Sequence, residues 1–354
     1  MSTAEGGPGA PTEGLWTTES LPPAGQVRSP TGGLGAGPGG SGAGPDRLRL
    51  ATRGSALALA QSRLLVEGLR AAWPDLQVEL VTVVTEGDRR RDLPASALGG
   101  KGIFTAAVQQ AVLDGRADLA VHSAKDLPAA QVPGLVLAAV PERDDPRDVL
   151  VGRYQLRGLD DLPAGARVGT GSPRRVALLS WLRPGLDLVP LRGNVDSRVR
   201  RVHAGELDAV VLAAAGLHRL GLAGEAVRLD PETFTPAPGQ GCLAVEARED
   251  DPRTLGLLGR LTHRPSRVAL LGERAFLRRL GGSCTLPAGA LLRRAADGAL
   301  EVQGFLSALD GKGLVRERLR GPADDPEGLG QALADRLLDT CGPEVRALVE
   351  DSRR

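Results

Sequence analysis

Aromatic side chains make up only 2% of this 354-residue chain: four Phe, three Trp and one Tyr. Single-stranded nucleic acid is gripped by stacking bases on aromatic rings along a basic groove. With few such platforms and a net charge of +1, neither a nucleic acid nor a membrane surface is an expected partner. Cysteine is equally scarce. Cys242, Cys284 and Cys341 show no CxxC spacing, and their number is odd. That argues against a disulfide framework or a zinc site and for a reducing compartment. Long apolar runs are missing too. A stretch such as AVVLAAAGL (209–217) falls far short of the roughly 20 residues of a spanning helix. No basic segment followed by an apolar one opens the chain, so a cytoplasmic protein without a metal is expected. Lysine is nearly absent: all but Lys101, Lys125 and Lys312 of the 44 basic residues are Arg. Where arginine is the default, each surviving lysine carries information.

What is present is an α/β texture. Residues 1–45 are rich in Gly, Pro, Ser and Thr and cannot bury enough surface to offset ordering entropy, so a disordered tail is expected. Its GxGxxG (Gly35, Gly37, Gly40) follows no strand and opens no helix, and is discarded as a nucleotide site. From Arg47, strand and helix patterns alternate. RLRLAT, LQVELVTVV and DLAVHS read as strands; SALALAQSRLLVEGLRAAW, with Ser55 as N-cap, and IFTAAVQQAVLDG read as helices. A second set follows: strands ARVGT, LDLVPLR and DAVVLA, helices SPRRVALLSWL, VDSRVRRVHAG and AAGLHRLGL. Such alternation implies parallel sheets. RGSALALAQS echoes TGSPRRVALLS, and DLAVHSAKDL aligns with DAVVLAAAGL, which suggests two similar lobes. Beyond residue 262 a helix, three strand-like segments and a further helix read as a separate α+β domain.

The polar residues gather at one place in this pattern. Arg53 and Ser55, Lys125 and Asp126, Ser172 with Arg174 and Arg175, Arg192 and Asn194, and Arg219 all follow the carboxyl ends of expected strands. In open α/β sheets that edge binds ligands. For a single arginine a solvated surface charge is the better reading; for five segments a cleft is favoured. In VGTGSPRRVALL, Ser172 can cap the helix and Pro173 suits its first position. Arg174 and Arg175 then sit where the helix dipole disfavours cations, which suggests an anionic ligand. The arginine fork suits carboxylate and phosphate alike. GGKGIF (99–104) lacks P-loop spacing and reads as a mobile glycine-hinged loop carrying Lys101. Asp126 could act as acid/base or stabilise a developing cation, or could be an ordinary turn residue. His122 reads as structural and Cys242 as core. Cys284, in the glycine-rich turn RRLGGSCTLPAGA (278–290), alone has the setting of an accessible thiol. No Cys-His or Ser-His-Asp spacing accompanies it.

From Arg47 to Cys341 the chain resembles the porphobilinogen deaminases (hydroxymethylbilane synthases). The motifs LATRGSALALAQS, GGKGIF, VHSAKDLPA, VGTGSPRR, LRGNVDSR, LAAAGLHRLGL, PAPGQGCLAVE and GGSCTLPAGA stand in register. The resemblance implies a fold: α/β, with two periplasmic-binding-protein-like lobes, an active-site cleft between them and a C-terminal α+β domain. Lobe 1 would span 46–141 plus 242–260, lobe 2 147–237 and the third domain 262–354. It implies that Cys284 carries a dipyrromethane cofactor through a thioether. Four porphobilinogen molecules would add to that primer in turn, each losing ammonia through an azafulvenium cation, before hydroxymethylbilane is freed. Each pyrrole brings an acetate and a propionate, so an arginine-lined cleft fits. By resemblance Arg53, Ser55, Lys125, Thr170, Ser172, Arg174, Arg175, Arg192, Asn194, Arg198 and Arg219 bind cofactor or substrate, and Asp126 is catalytic. Gln240 would be the hinge, with Lys101 and Phe104 on the mobile loop. Ala97 replaces a lysine that the family often has. A monomer is expected, with its product passed to uroporphyrinogen-III synthase. Arg174→Leu is expected to weaken ligand retention more than stability. The rival from another class is a non-catalytic two-lobed organic-acid binding protein, which would have no need of Cys284.

Overall fold

The structure is a computed structural model and describes residues 47–85, 105–224, 226–282 and 285–353. The strand β1 (Arg47–Arg53) alternates apolar and basic residues, so Leu48 and Leu50 are fully buried. It pairs in parallel with β2 (Gln77–Val83) and β3 (Leu119–Ser123). The sheet is completed by β4 (Leu135–Ala139) and, from far along the chain, β10 (Leu243–Arg248), in the order β2-β1-β3-β10-β4. Helix α1 (Ala56–Ala72) covers it with Leu65, Val66 and Leu69 buried. The Ser55 hydroxyl caps α1, accepting from the Ala58 N–H at 3.3 Å. A second helix, α2 (Ala106–Leu113), packs Val108, Ala111 and Val112 beside Ala51 and Ala120.

The second sheet is built the same way. Strands β5 (Asp148–Gly152), β6 (Arg167–Thr170), β7 (Asp187–Pro190), β8 (Ala209–Ala213) and β9 (Val227–Arg228) lie in the order β7-β6-β8-β5-β9. Around it are α3 (Pro173–Leu182), α4 (Val195–His203) and the short α5 (Ala214–Arg219). Neither sheet is purely parallel. β10 runs antiparallel to β3 and β4, and β5 antiparallel to β8 and β9. In each sheet this odd strand is the first one after a crossing: the chain leaves after β4 to enter β5, and returns after β9 to enter β10. A strand entering from the other lobe needs no βαβ crossover, and so is free to pair antiparallel. The sequence had suggested parallel strands alone because β4, β5 and β9 are flanked by no helix pattern.

Helix α6 (Pro252–Gly259) closes the first sheet, and the remainder forms a third unit. Its antiparallel sheet is β11 (Ala288–Arg294), β12 (Leu300–Leu306) and β13 (Val315–Gly321). Helices α7 (Arg264–Arg279), α8 (Pro326–Thr340) and α9 (Pro343–Arg353) bury Phe276, Leu333, Leu337, Val345 and Val349 against it. Helices α7 and α8 approach closely at Gly272 and Gly330, where a Cβ on Gly330 would run into the Gly272 carbonyl. No helix among the described residues is long and apolar enough to cross a membrane.

The crossings are tied to the third unit by one side chain. Glu273, on the apolar face of α7, is wholly buried. Its carboxylate accepts from Arg143 on the first crossing (2.7 and 3.1 Å), from the Gly239 N–H on the second (2.6 Å) and from the Leu292 N–H of β11 (2.9 Å). A buried carboxylate is tolerated when its lone pairs are filled in this way.

Candidate active site

Strand β3 ends in a single 3-10 turn, Ala124–Asp126, which presents Lys125 and Asp126 at its carboxyl end. The turn is held from α1, where the Gln61 amide donates to the Ser123 hydroxyl at 2.8 Å. The Lys125 ammonium donates to the Gln240 carboxamide oxygen at 3.2 Å. Burial pushes the lysine down to about 8, and Arg175 acts in the same direction; Asp126 and Asp148 oppose them. Asp126 itself is exposed and accepts no hydrogen bond from another described residue. A carboxylate left open at a strand end, beside a lysine, can face a cation that forms nearby.

The second lobe supplies the arginines. Thr170 is buried, and its hydroxyl accepts from the Ser172 N–H at 3.3 Å. Ser172 occupies the N-cap position of α3 but makes no side-chain cap bond, contrary to expectation. Arg174 and Arg175 do not point into water. Both are buried against Asp148, the first residue of β5, at 2.8 and 2.7 Å. Arg174 also donates to the Thr235 carbonyl, and Arg175 to the Val211 carbonyl. Burial alone would raise the Asp148 carboxyl, but Arg174, Arg175 and Lys125 outweigh it and hold it below the usual carboxylate range. The anion that the helix dipole called for is therefore in part internal.

Further along, Asn194 is exposed at the N-cap position of α4, and Arg192 is half-buried. Arg198 donates from Nε to the Gly193 carbonyl at 2.9 Å. Burial lowers its guanidinium to about 10, Arg175 and Arg192 add to this, and Asp126 opposes it. Arg219 donates to the Gly241 carbonyl at 2.6 Å and lies 3.6 Å from Asp144, so it clasps both crossings; burial lowers its pKa. Gln240 is fully buried. Its amide nitrogen donates to the Pro146 carbonyl at 2.8 Å and to Asp148 at 3.2 Å, and its backbone carbonyl accepts from Arg143.

These side chains converge. A cavity of about 80 Å³ between the lobes is lined by Lys125, Arg175, Arg198 and Arg219, together with Gln61 and Ser123. Its apolar lining includes Leu57, Ala215 and Gly216. Buried Cys242 also borders it, with its thiol pushed up to about 11 by desolvation; that suits a packing role. Arg53, Ser55, Asp126, Thr170, Ser172, Arg174, Arg192, Asn194 and Gln240 do not line this cavity, although Arg53 ends β1 at the same sheet edge and Asp126 and Gln240 each adjoin a lining residue, Lys125 and Gly239 respectively. His122 is buried beside Glu246 at 3.1 Å. Lys101, Phe104, Ala97 and Cys284 lie outside the described residues. Asp148, Glu273 and Arg143 were missed from sequence. The signal for Glu273 was legible: an acid between Leu270 and Phe276 on an apolar helix face.

Cations drawn from both walls of an interlobe cleft fit a small organic polyacid better than a metal or a nucleotide. The sheets and the cleft thus define a two-lobed α/β protein with a cationic site and a third α+β unit tied to the crossings between the lobes. Comparison with known proteins gives the family. A family model described as "Porphobilinogen deaminase, dipyromethane cofactor binding domain" matches residues 48–256, and "Porphobilinogen deaminase, C-terminal domain" matches 268–339. The porphobilinogen deaminase of Roseiflexus sp. (strain RS-1) is 50% identical over 301 residues, 85% of this chain and 98% of that protein. That of Syntrophus aciditrophicus (strain SB) is 45% identical over 307 residues, 86% of this chain and 100% of that protein. The chain belongs to the porphobilinogen deaminase family. Among solved structures, the periplasmic aliphatic sulphonate binding protein SsuA of Escherichia coli aligns with a TM-score of 0.37 and 16% identity, covering 88% of this chain and 86% of that one.

Proposed function

We propose that the protein is a hydroxymethylbilane synthase. It condenses four porphobilinogen molecules head to tail, with loss of ammonia, onto a dipyrromethane primer bound through Cys284, and releases hydroxymethylbilane. The observation that carries the proposal is the meeting of Lys125, Arg175, Arg198 and Arg219 around one cavity. Asp126 is near enough to bias both Lys125 and Arg198. The cofactor would supply the free pyrrole carbon that takes up the first substrate, after which the ring added last offers its own free carbon to the next. The donor set suits it, because its acetate and propionate groups match an arginine wall.

The chain's own residues then have distinct tasks. Arg198, Arg219 and Lys125 hold carboxylates and fix the pyrrole ring. Asp126, with no internal partner among the described residues, stabilises the positive charge that develops as ammonia leaves the aminomethyl carbon. Gln240, bonded to Lys125 on one side and to Pro146 and Asp148 on the other, is the hinge contact between lobes. The proposal includes a cytoplasmic monomer that hands its open-chain product to uroporphyrinogen-III synthase. The test is porphobilinogen consumption by the wild type and by Asp126→Ala. Consumption by the wild type with loss in the variant supports the roles; equal consumption by both removes Asp126 from the chemistry.

A further inference from the structure

The arginine pair of the second lobe is already engaged by an acid of the protein itself. Asp148 has no exposed surface. One carboxylate oxygen accepts from Arg175 at Nε (2.9 Å) and Nη2 (2.7 Å); the other is 2.8 Å from Arg174 Nη2. The Arg175-bound oxygen also accepts from the Gln240 amide at 3.2 Å, and the Gln240 oxygen accepts from Lys125 at 3.2 Å. A continuous polar chain therefore runs from the first lobe through the hinge to the second. Arg174 Nε is buried without an acceptor, and the Asp148 oxygen facing Arg174 accepts no hydrogen bond although it is in ion-pair contact, so this half of the cluster is held less fully than the half at Arg175.

We propose that Asp148 is a resident counter-carboxylate: it occupies the binding edge of Arg174 and Arg175 and, through Gln240, restrains Lys125, so that a ligand carboxylate must compete for these cations. Its consequence is release. Two unmatched guanidiniums in a buried wall would grip a polycarboxylate tightly, and an enzyme whose product carries many carboxylates must also let it go. Asp148 touches no ligand in this scheme; it is a positioning residue. The inference rests on the cleft being a polycarboxylate site, as proposed above.

The test uses the full-length holoprotein carrying Asp148→Asn, which keeps the side-chain shape. Succinate is the probe, with sodium chloride at equal ionic strength as control, and the readout is the unfolding temperature. The variant is expected to bind succinate about tenfold more tightly than the wild type. An identical succinate response in both proteins would overturn the proposal. With porphobilinogen, the variant is expected to show kcat lowered about tenfold without a rise in KM, and native mass spectra shifted towards the longest enzyme-bound chains. An unchanged distribution of bound chains with a raised KM would also overturn it.

Should Asp148→Asn fail to fold, the same change is made in Arg175→Gln, where one buried cation fewer is left unmatched. Tighter succinate binding than in Arg175→Gln alone is expected; equal binding refutes the role. A wild type that ignores porphobilinogen while the succinate difference persists sinks the enzymatic reading and leaves Asp148 standing; the converse result does the opposite.

Discussion

The two five-stranded sheets share one strand order, yet they carry their charges at different corners. In each, the aspartate immediately before the third strand braces the first: Asp118 accepts from the Arg49 N–H at 2.7 Å and Asp208 from the Arg167 N–H at 2.8 Å. Each returns its own N–H to the same arginine's carbonyl. Past the third strand the lobes diverge. The first follows β3 with Lys125 and Asp126, where the second follows β8 with Ala215 and Gly216. After the first strand the pattern inverts: the second lobe has Arg174 and Arg175 where the first has Leu57 and Ala58. The antiparallel strand follows suit, with Asp148 opposite Ala213 in one sheet and Leu243 opposite Ser123 in the other. A repeated scaffold thus divides one site between two walls. The catalytic candidate sits on one wall and a buried ion-pair cluster on the other, and neither lobe alone holds the set.

That division can be broken from either side. The largest expected effect comes from the first lobe. Asp126→Ala is expected to lower kcat by about 10²–10³-fold, as for loss of a preorganised charge-stabilising group. The fold should be intact, because the carboxylate is exposed; circular dichroism alongside steady-state kinetics separates the two effects. The second lobe should respond in stability instead. Arg174→Leu installs the residue found at the matching position of the first lobe, but leaves Asp148 short of one partner in a buried setting. A loss of about 3 kcal/mol is expected, read by urea denaturation. This reverses what the sequence suggested for Arg174, because the sequence does not reveal that Asp148 lies against it.

The lobes also meet in a pH dependence. Lys125 is held at about 8, below its unfolded value of roughly 10.4. Between these values the unfolded chain binds more protons, so this group makes stability rise with pH across that window. Carboxylate binding should move the other way, with KM for porphobilinogen rising several-fold as Lys125 loses its charge above pH 8. A KM flat through that range would detach Lys125 from binding. The smallest effect sharpens the comparison of the first helices. Ser55→Ala is expected to cost about 1 kcal/mol through the lost cap, whereas Ser172→Ala should cost a few tenths, since Ser172 makes no cap bond. Thermal unfolding of the two variants decides this, and equal losses would remove the distinction.

Much of this was legible in the sequence, and the remainder was hidden for identifiable reasons. Local periodicity located β1, α1, β3, α3 and β8, because burial of one face fixes the spacing of Leu48 and Leu50 or of Leu65 and Leu69. The echo between segments pointed to the matching lobes. The odd strand of each sheet was not legible, since the partner of a strand is decided by chain that lies far away. The dipole argument at Arg174 asked for an anion and left its source open; Asp148, an acid directly before the apolar run VLV, reads locally as a turn residue. Glu273 could have been found, as an acid on the buried face of α7. Helix α9 and strand β4 went unread because they are short or lack a clear period.

The most direct measurement is the mass of the peptide containing Cys284, before and after incubation of the full-length protein with porphobilinogen. An increment of two linked pyrrole units on Cys284, present at the start or appearing on incubation, is the predicted result. A Cys284 that stays unmodified after incubation, with porphobilinogen unconsumed, would contradict the assignment of this cleft as a synthase.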